Sequence, residues 1–364
     1  MPMLAFFPWL ALNEPIKLDE FHLRQFKRGL LPAGLRKPAQ ATVDRVLKPY
    51  HHLEKPIESA TILQMPGHQI TDDLTHSEQE DVFTLSELIT FSGLSRREYF
   101  GIGMSYCNSD NFTFILQAFE GTVGGAAVTT RRRDGQTMDY ISANAYKVHQ
   151  PAHVRKSFER TRLDVLLLKS LLSARNEKWW GQLFDAIFWF NRANTDSYTV
   201  SPEAESIKIV SSFEQCLGLT KGKERELRKA FVAGLVPTKE ILYSTSERSR
   251  SSTMPGCSSV REAWITDFFR LRGDHAHGRR KAHYKSAWAL NEHLILGSFA
   301  FPLLVKSLLA KNRHYALVQS DRIGIDCFER IASIPIFEKQ PGSDDWPWNR
   351  ILIDAKLGLA FETN

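Results

Sequence analysis

The chain has 364 residues, of which 43% are hydrophobic and 24% charged, with a formal net charge of +6. This is the composition of a folded globular protein, which excludes wholesale disorder and fibrous repeats, and the length suits two domains of about 100–200 residues each. The charge is uneven: residues 221–320 hold 18 Lys/Arg against 8 Asp/Glu, leaving 29 against 33 elsewhere. Such an excess favours a polyanionic partner, nucleic acid first, although a solvated basic face carries the same signature.

The N-terminus brings Phe6, Phe7, Trp9 and Leu10 without a basic segment before them, and Glu14, Asp19 and Glu20 follow, which argues against a secretory signal. Residues 1–155 read as a mixed α/β domain. Ala60–Met65 and Phe112–Phe119 are short runs rich in β-branched and aromatic residues, Asp81–Thr90 looks helical, and Asp134-Gly135 between flanking runs signals a hairpin. The triplet Arg131-Arg132-Arg133 before that turn suits either an exposed hairpin end or a phosphate contact. Four scattered cysteines lack any C-x-x-C pairing, and a reducing cytoplasm fits them best.

From residue 156 to about 315 the hydrophobic period becomes helical. Leu163–Leu172 is strongly apolar, and Trp179, Trp180, Leu183, Phe184, Ile187, Phe188 and Phe190 mark a wide buried face. Ser201-Pro202-Glu203 opens the next helix with an N-cap, a proline at the first helical position and an early acid. Further helices are expected near Lys223–Val236, Ser259–His275 and Ser286–Ala310, with residues 316–364 as an extension packing on the bundle. The Ser/Arg-rich connector Ser244–Ser259 reads as a flexible loop suited to RNA capture. The apolar stretch Leu294–Val305 is well short of the roughly 20 residues needed to span a bilayer, so no membrane segment is expected. The fold class expected is α+β: an N-terminal α/β domain followed by a helical bundle.

Arg272 and His277 stand out near the end of the Ser259–His275 helix. A fixed guanidinium can stabilise charge on a phosphate and an imidazole can take and give a proton, which together suffice to cut RNA. The same spacing also occurs on ordinary solvated helix ends. Five residues on an ideal helix are about 140° apart, so the two share a face only if the helix ends between them, a fraying that Gly273 and Gly278 favour. Arg270, Asp274 and His277 instead fall on one stripe, where Asp274 could orient the imidazole or simply pair with Arg270. A metal site from His275, His277 and Asp274, from His51 and His52, or from His149 and His153 lacks its remaining ligands, and no cofactor is expected. Glu214 suits either an acid catalyst or a buried partner for a cation.

Three blocks in order resemble the HEPN superfamily, in particular its ApeA-like branch: Phe190-Asn-Arg-Ala-Asn-Thr-Asp196, Ile209-Val-Ser-Ser-Phe-Glu214, and Leu271-Arg-Gly-Asp-His-Ala-His-Gly278, the last similar to a Leu-Arg-Asn-x-x-x-His-Gly signature. The resemblance implies a helical bundle and a metal-independent endoribonuclease that uses the RNA 2′-OH as nucleophile and leaves 2′,3′-cyclic phosphate and 5′-OH ends. It implies Arg272 and His277 as the catalytic pair, with Asp274 and His275 beside them and Arg270, Arg279, Arg280 and Lys281 as RNA contacts. The implied setting is a cytoplasmic homodimer with a composite site, acting on RNA such as tRNA as a toxin or antiphage effector, with an antitoxin or trigger as a further partner. One position departs from the signature: Gly273 stands where a polar residue, often Asn, is usual. A helical module that binds RNA or a partner protein without cutting it is the alternative.

Overall fold

The computed structural model describes residues 3–12, 14–30, 37–69, 72–99, 106–118, 125–132, 135–142, 146–154, 161–219, 222–235, 240–250, 252–278, 284–336 and 347–355. It is α+β and divides into two compact units, Met1–Gly93 with Cys107–Arg162, and Leu94–Tyr106 with Leu163–Asn364. The second unit thus begins at Leu163 rather than at 156. It also takes in the 94–106 segment and the residues after 315.

The N-terminal unit contains β1 (Met3–Phe7), β2 (Ile16–Lys17), β3 (His22–Lys27), α1 (Lys37–Leu47), β4 (Tyr50–His52), β5 (Lys55–Pro56), β6 (Ser59–Gln64), α2 (His76–Leu94), β7 (Ile115–Ala118), β8 (Gly125–Arg132), β9 (Gly135–Ser142) and β10 (Val148–His149). Five strands form an antiparallel sheet in the order β2-β3-β6-β1-β7. Leu4, Phe6, Phe26 and Ile62 of the sheet close a core with Val43, Val46 and Leu47 of α1. Thr75 and Glu78 cap α2 reciprocally, each side chain meeting the other residue's backbone N–H, which starts the helix earlier than the apolar pattern alone indicates. The β8–β9 hairpin pairs Arg132 with Gly135; Arg133 and Asp134, between them, lie outside the described residues.

The helical unit holds α3 (Val165–Ser173), α4 (Trp180–Ala193), α5 (Pro202–Cys216), α6 (Glu224–Gly234), α7 (Val260–Ala276), α8 (Leu290–Lys311), α9 (Gln319–Ala332) and α10 (Pro347–Asp354). Its centre is aromatic: Phe213 of α5 meets Phe231, Trp264 and Phe301 edge to face, and Phe190 stacks on Phe301 with centroids 4.5 Å apart. Trp179 and Trp180 are half-buried at the start of α4. Ser201 caps α5 through Ala204 N–H, and Ser259 with Glu262 forms a capping box on α7. Gly297 of α8 lets α5 and α7 approach: a Cβ there would lie 2.8 Å from Ile209 and 3.1 Å from Phe268. Those contacts set α7 against the core and leave its C-terminal end at the surface.

By length and composition α8 is apolar enough to cross a membrane, and it is longer than the stretch read from the sequence. Two thirds of its apolar window is nevertheless buried within the unit, and three of its buried polar residues have internal partners: Glu292 pairs with Arg248, His293 with Asp267, and Lys306 with Asp164 and Asp321.

The connector before α7 is not the open basic loop expected from its composition. It folds into two short 3-10 turns, Tyr243–Thr245 and Glu247–Arg250, and the Arg248 guanidinium is buried, donating to both Glu292 carboxylate oxygens and to the carbonyls of Ala287 and Ile334. Removing one member of a buried pair leaves an uncompensated charge. Glu292→Ala should therefore destabilise the unit by about 3–5 kcal/mol in urea unfolding, with much of the loss recovered in the double variant R248M/E292L. A loss below ~1 kcal/mol would show that the pair does not anchor this segment.

Candidate functional site

The C-terminal end of α7 gathers Arg270, Arg272, Asp274 and His275 on the helix and His277 at its cap. The helix runs unbroken through Gly273 to Ala276, and the His277 N–H still bonds the Gly273 carbonyl at 3.2 Å. The fraying that would bring Arg272 and His277 to one face is absent, so within one chain the two leave the axis about 140° apart.

Arg272 points back into the unit. Its guanidinium donates to Glu214 of α5 at 2.5 Å and lies 4.8 Å from the Phe269 ring centroid. Burial pushes the Glu214 carboxyl up from its ordinary range, with Arg272 pulling the other way. Gly222, at φ +27°, fits against this pair, since a Cβ there would come within 2.7 Å of Glu214 Oε1. Arg272 Nε and Glu214 Oε1 are buried without hydrogen-bond partners among the described residues, so the pair is held by one short contact and leaves part of both groups unsatisfied.

The other expected contacts resolve differently. Arg270 does not pair with Asp274; both its Nε and one terminal nitrogen donate to Glu224 at 2.8 Å, at the first turn of α6. Asp274 is buried and accepts the Tyr284 backbone N–H at 3.0 Å, rather than orienting His277. His275 Nδ1 meets Ser206 Oγ of α5 at 2.9 Å. The His277 side chain is exposed and makes no hydrogen bond or ion pair among the described residues. Arg279, Arg280 and Lys281, expected to contact RNA, lie outside the described residues.

Beneath this end sits a polar knot that the sequence reading missed. Asp267 accepts from Tyr284 Oη, Ser286 Oγ and His293 Nε2, and from the backbone N–H groups of Ala287 and Trp288. Burial works against its ionisation, but these donors, His293 first, hold its carboxyl below the usual range, while burial keeps the His293 imidazole low. The three residue types are those of a hydrolase triad, yet Ser286 and Asp267 both meet the same imidazole nitrogen. No relay from acid to base to nucleophile exists, and the knot is an anchor for the chain that follows the α7 end.

No family model, no curated protein and no solved structure matches the chain. The likeness to HEPN proteins therefore stands on the residues of the three blocks themselves. Two of those blocks meet in space: Glu214 closes the second, Arg272 belongs to the third, and they form the ion pair described above. Among the described residues, no group of three His, Cys, Asp or Glu side chains is arranged to hold a metal ion.

Each unit also carries a concavity among its described residues. A cleft of about 700 Å³ in the N-terminal unit is lined by residues including Trp9, His52, Lys55, Pro56 and Glu58. A smaller cavity of about 230 Å³ in the helical unit is bounded by Arg97, Tyr106, Asp196, Glu205 and Asn291. Burial, followed by the nearby Asp196 charge, raises the Glu205 carboxyl to about 7. A carboxylate with a raised folded-state pKa favours folding only while protonated, so its contribution is full below about 4.5 and is lost as pH rises through about 7. Glu205→Gln should therefore match the wild type near pH 5 and exceed it at pH 8 in denaturant titrations, by about 1 kcal/mol once solvent screening of this half-exposed carboxylate is allowed for. A difference that does not grow with pH would mean that Glu205 ionises freely.

Proposed function

We propose that the protein is a metal-independent endoribonuclease that works as a homodimer, with the C-terminal ends of two α7 helices facing one phosphate. The observation that carries this reading is the exposed imidazole of His277, without a partner among the described residues, at the cap of the helix that also holds Arg272. The imidazole would take the proton of a ribose 2′-OH, or return one to the leaving 5′-oxygen, and a guanidinium would stabilise the charge that develops on phosphorus. The products are a 2′,3′-cyclic phosphate and a 5′-OH end.

The dimer is part of this proposal, and the geometry of α7 is what supports it. One chain sends Arg272 toward α5 and leaves His277 at the cap, so it does not offer both groups to the same phosphate. A two-fold partner would supply a second imidazole across the cleft, with a guanidinium reaching the phosphate once it is released from Glu214. DNA is inert in this scheme because it lacks the 2′-OH nucleophile. The basic excess of residues 221–320 and the sequence-adjacent Arg279, Arg280 and Lys281 suit a polyanion.

One observation favours a second reading, RNA binding without cleavage: Arg272 engaged with Glu214 has part of its fork already used. Incubating an RNA and its all-deoxy counterpart with purified dimer in EDTA separates the two. Cleavage of the RNA alone supports the nuclease, whereas retention of intact RNA on the protein supports the binding module.

A further inference from the structure

The 230 Å³ cavity of the helical unit has a mixed chemistry that narrows its ligand. Arg97 forms part of its wall, with the guanidinium carbon 5.2 Å from the Tyr99 ring centroid and 6.0 Å from that of Tyr106, and a terminal nitrogen donating to Asn194 Oδ1. A cationic ligand would meet a fixed like charge seated in the aromatic part of the wall. An anionic ligand would meet Asp196 and Glu205. A neutral, planar group with adjacent donors on one edge and acceptors on another satisfies both sides.

The geometry points to this cavity as a receptor for a guanine base. Ionised carboxylates only accept hydrogen bonds, and guanine presents N1–H and N2–H₂ side by side, a donor pair that one carboxylate can engage twice. Its O6 and N7 are acceptors, suited to the Asn291 amide that lines the cavity. Adenine offers an acceptor at N1, where a carboxylate would be repelled. The volume is below the ~300–1,000 Å³ typical of drug-sized ligands, which suits one ring system with the sugar and phosphate outside. Tyr106 Oη donates to both Asp196 oxygens at 3.1 and 2.9 Å, which leaves Glu205 as the carboxylate for the base.

Position links the cavity to the α7 end. Glu205 is followed on α5 by Ser206, which holds His275 at 2.9 Å. A base in the cavity would therefore sit on the same helix turn that braces the proposed cleavage site, and in an RNA it would select where the strand is cut. That last step rests on the nuclease reading; base binding does not.

The test uses the full chain with mononucleotides in calorimetry, independent of cleavage. Guanosine 5′-monophosphate should bind about tenfold or more tightly than the adenosine, cytidine and uridine monophosphates. Glu205→Gln should abolish that preference without lowering the melting temperature, and Asn291→Ala should weaken guanine binding in a fully folded protein. Affinity should also fall as pH drops from 8 to 6, as Glu205 takes a proton beside Asp196 from the preceding loop, Lys208 on its own helix, and Arg97 and Tyr106 of the 94–106 segment. Equal affinities for the four nucleotides, no binding, or a guanine preference that survives Glu205→Gln would each overturn the assignment. Guanine-selective binding together with RNA cuts biased to guanosine assigns the base to the RNA substrate. Guanine-selective binding with unbiased cuts, or with no cuts, assigns it to a free nucleotide and overturns the substrate role.

Discussion

Replacing His277 by Ala should slow RNA cleavage by at least ~100-fold while the melting temperature stays at the wild-type value. The first half follows from general acid–base catalysis, whose loss typically costs 10²–10⁴-fold. The second follows from exposure: the imidazole has no side-chain partner among the described residues, and α7 is terminated by backbone bonds from His277 and Gly278 to Gly273 and His275 that alanine retains at position 277. A variant that loses activity and stability together would mark His277 as a structural cap. A variant that keeps full activity would remove it from the chemistry.

Arg272→Ala is expected to behave differently, losing both activity and stability. Glu214 is mostly buried, and without the guanidinium its carboxylate is left beside Gly222 with no cation, at a cost of about 1–3 kcal/mol in unfolding experiments. Cleavage should fall at least ~100-fold, the scale seen when a charge-stabilising donor is removed. The double variant E214Q/R272A separates the effects, because a neutral amide no longer requires a cation. It should regain most of the stability and none of the activity. If it regains activity as well, Arg272 serves the fold through Glu214 and has no direct part at the phosphate. The single variant Glu214→Gln is informative in turn: it loosens Arg272 without deleting it, so tighter RNA binding by that variant would identify the ion pair as a restraint on the guanidinium.

Much of the helical unit was legible because its signals are local. The apolar run from Trp179 to Phe190 marks α4, and the Ser201-Pro202 start and the Ser259–His275 reading fall within a residue or so of the observed start of α5 and bounds of α7. The start of α8 was read too early, at Ser286. The backbone N–H groups of Ala287 and Trp288 are drawn to Asp267, 20 and 21 residues back, which keeps that stretch out of the helix until Leu290. β1 was not read as a strand because a central strand buried on both faces shows no alternation. The 94–106 segment carries no composition shift to announce that it joins the second unit.

At the site, residue types were legible and partnerships were not. Arg272, Asp274, His275 and His277 could be picked out by spacing, but their partners come from elsewhere: Glu214 lies 58 residues from Arg272, Ser206 lies 69 from His275, and Glu224 lies 46 from Arg270. Nothing in a single sequence couples positions so far apart. Composition misled in the connector, where an Arg/Ser-rich run looks solvated yet one arginine, Arg248, is desolvated by a carboxylate and two carbonyls.

The proposed reaction is RNA cleavage at the α7 end by the RNA's own 2′-OH. Its most direct test is mapping of 3′ ends in total RNA treated with the purified protein in EDTA, wild type beside His277→Ala. New 2′,3′-cyclic phosphate ends made by the wild type and absent with His277→Ala are the expected result. Intact RNA from a verified dimer, 3′-OH products, or the same cyclic ends with His277→Ala would contradict it.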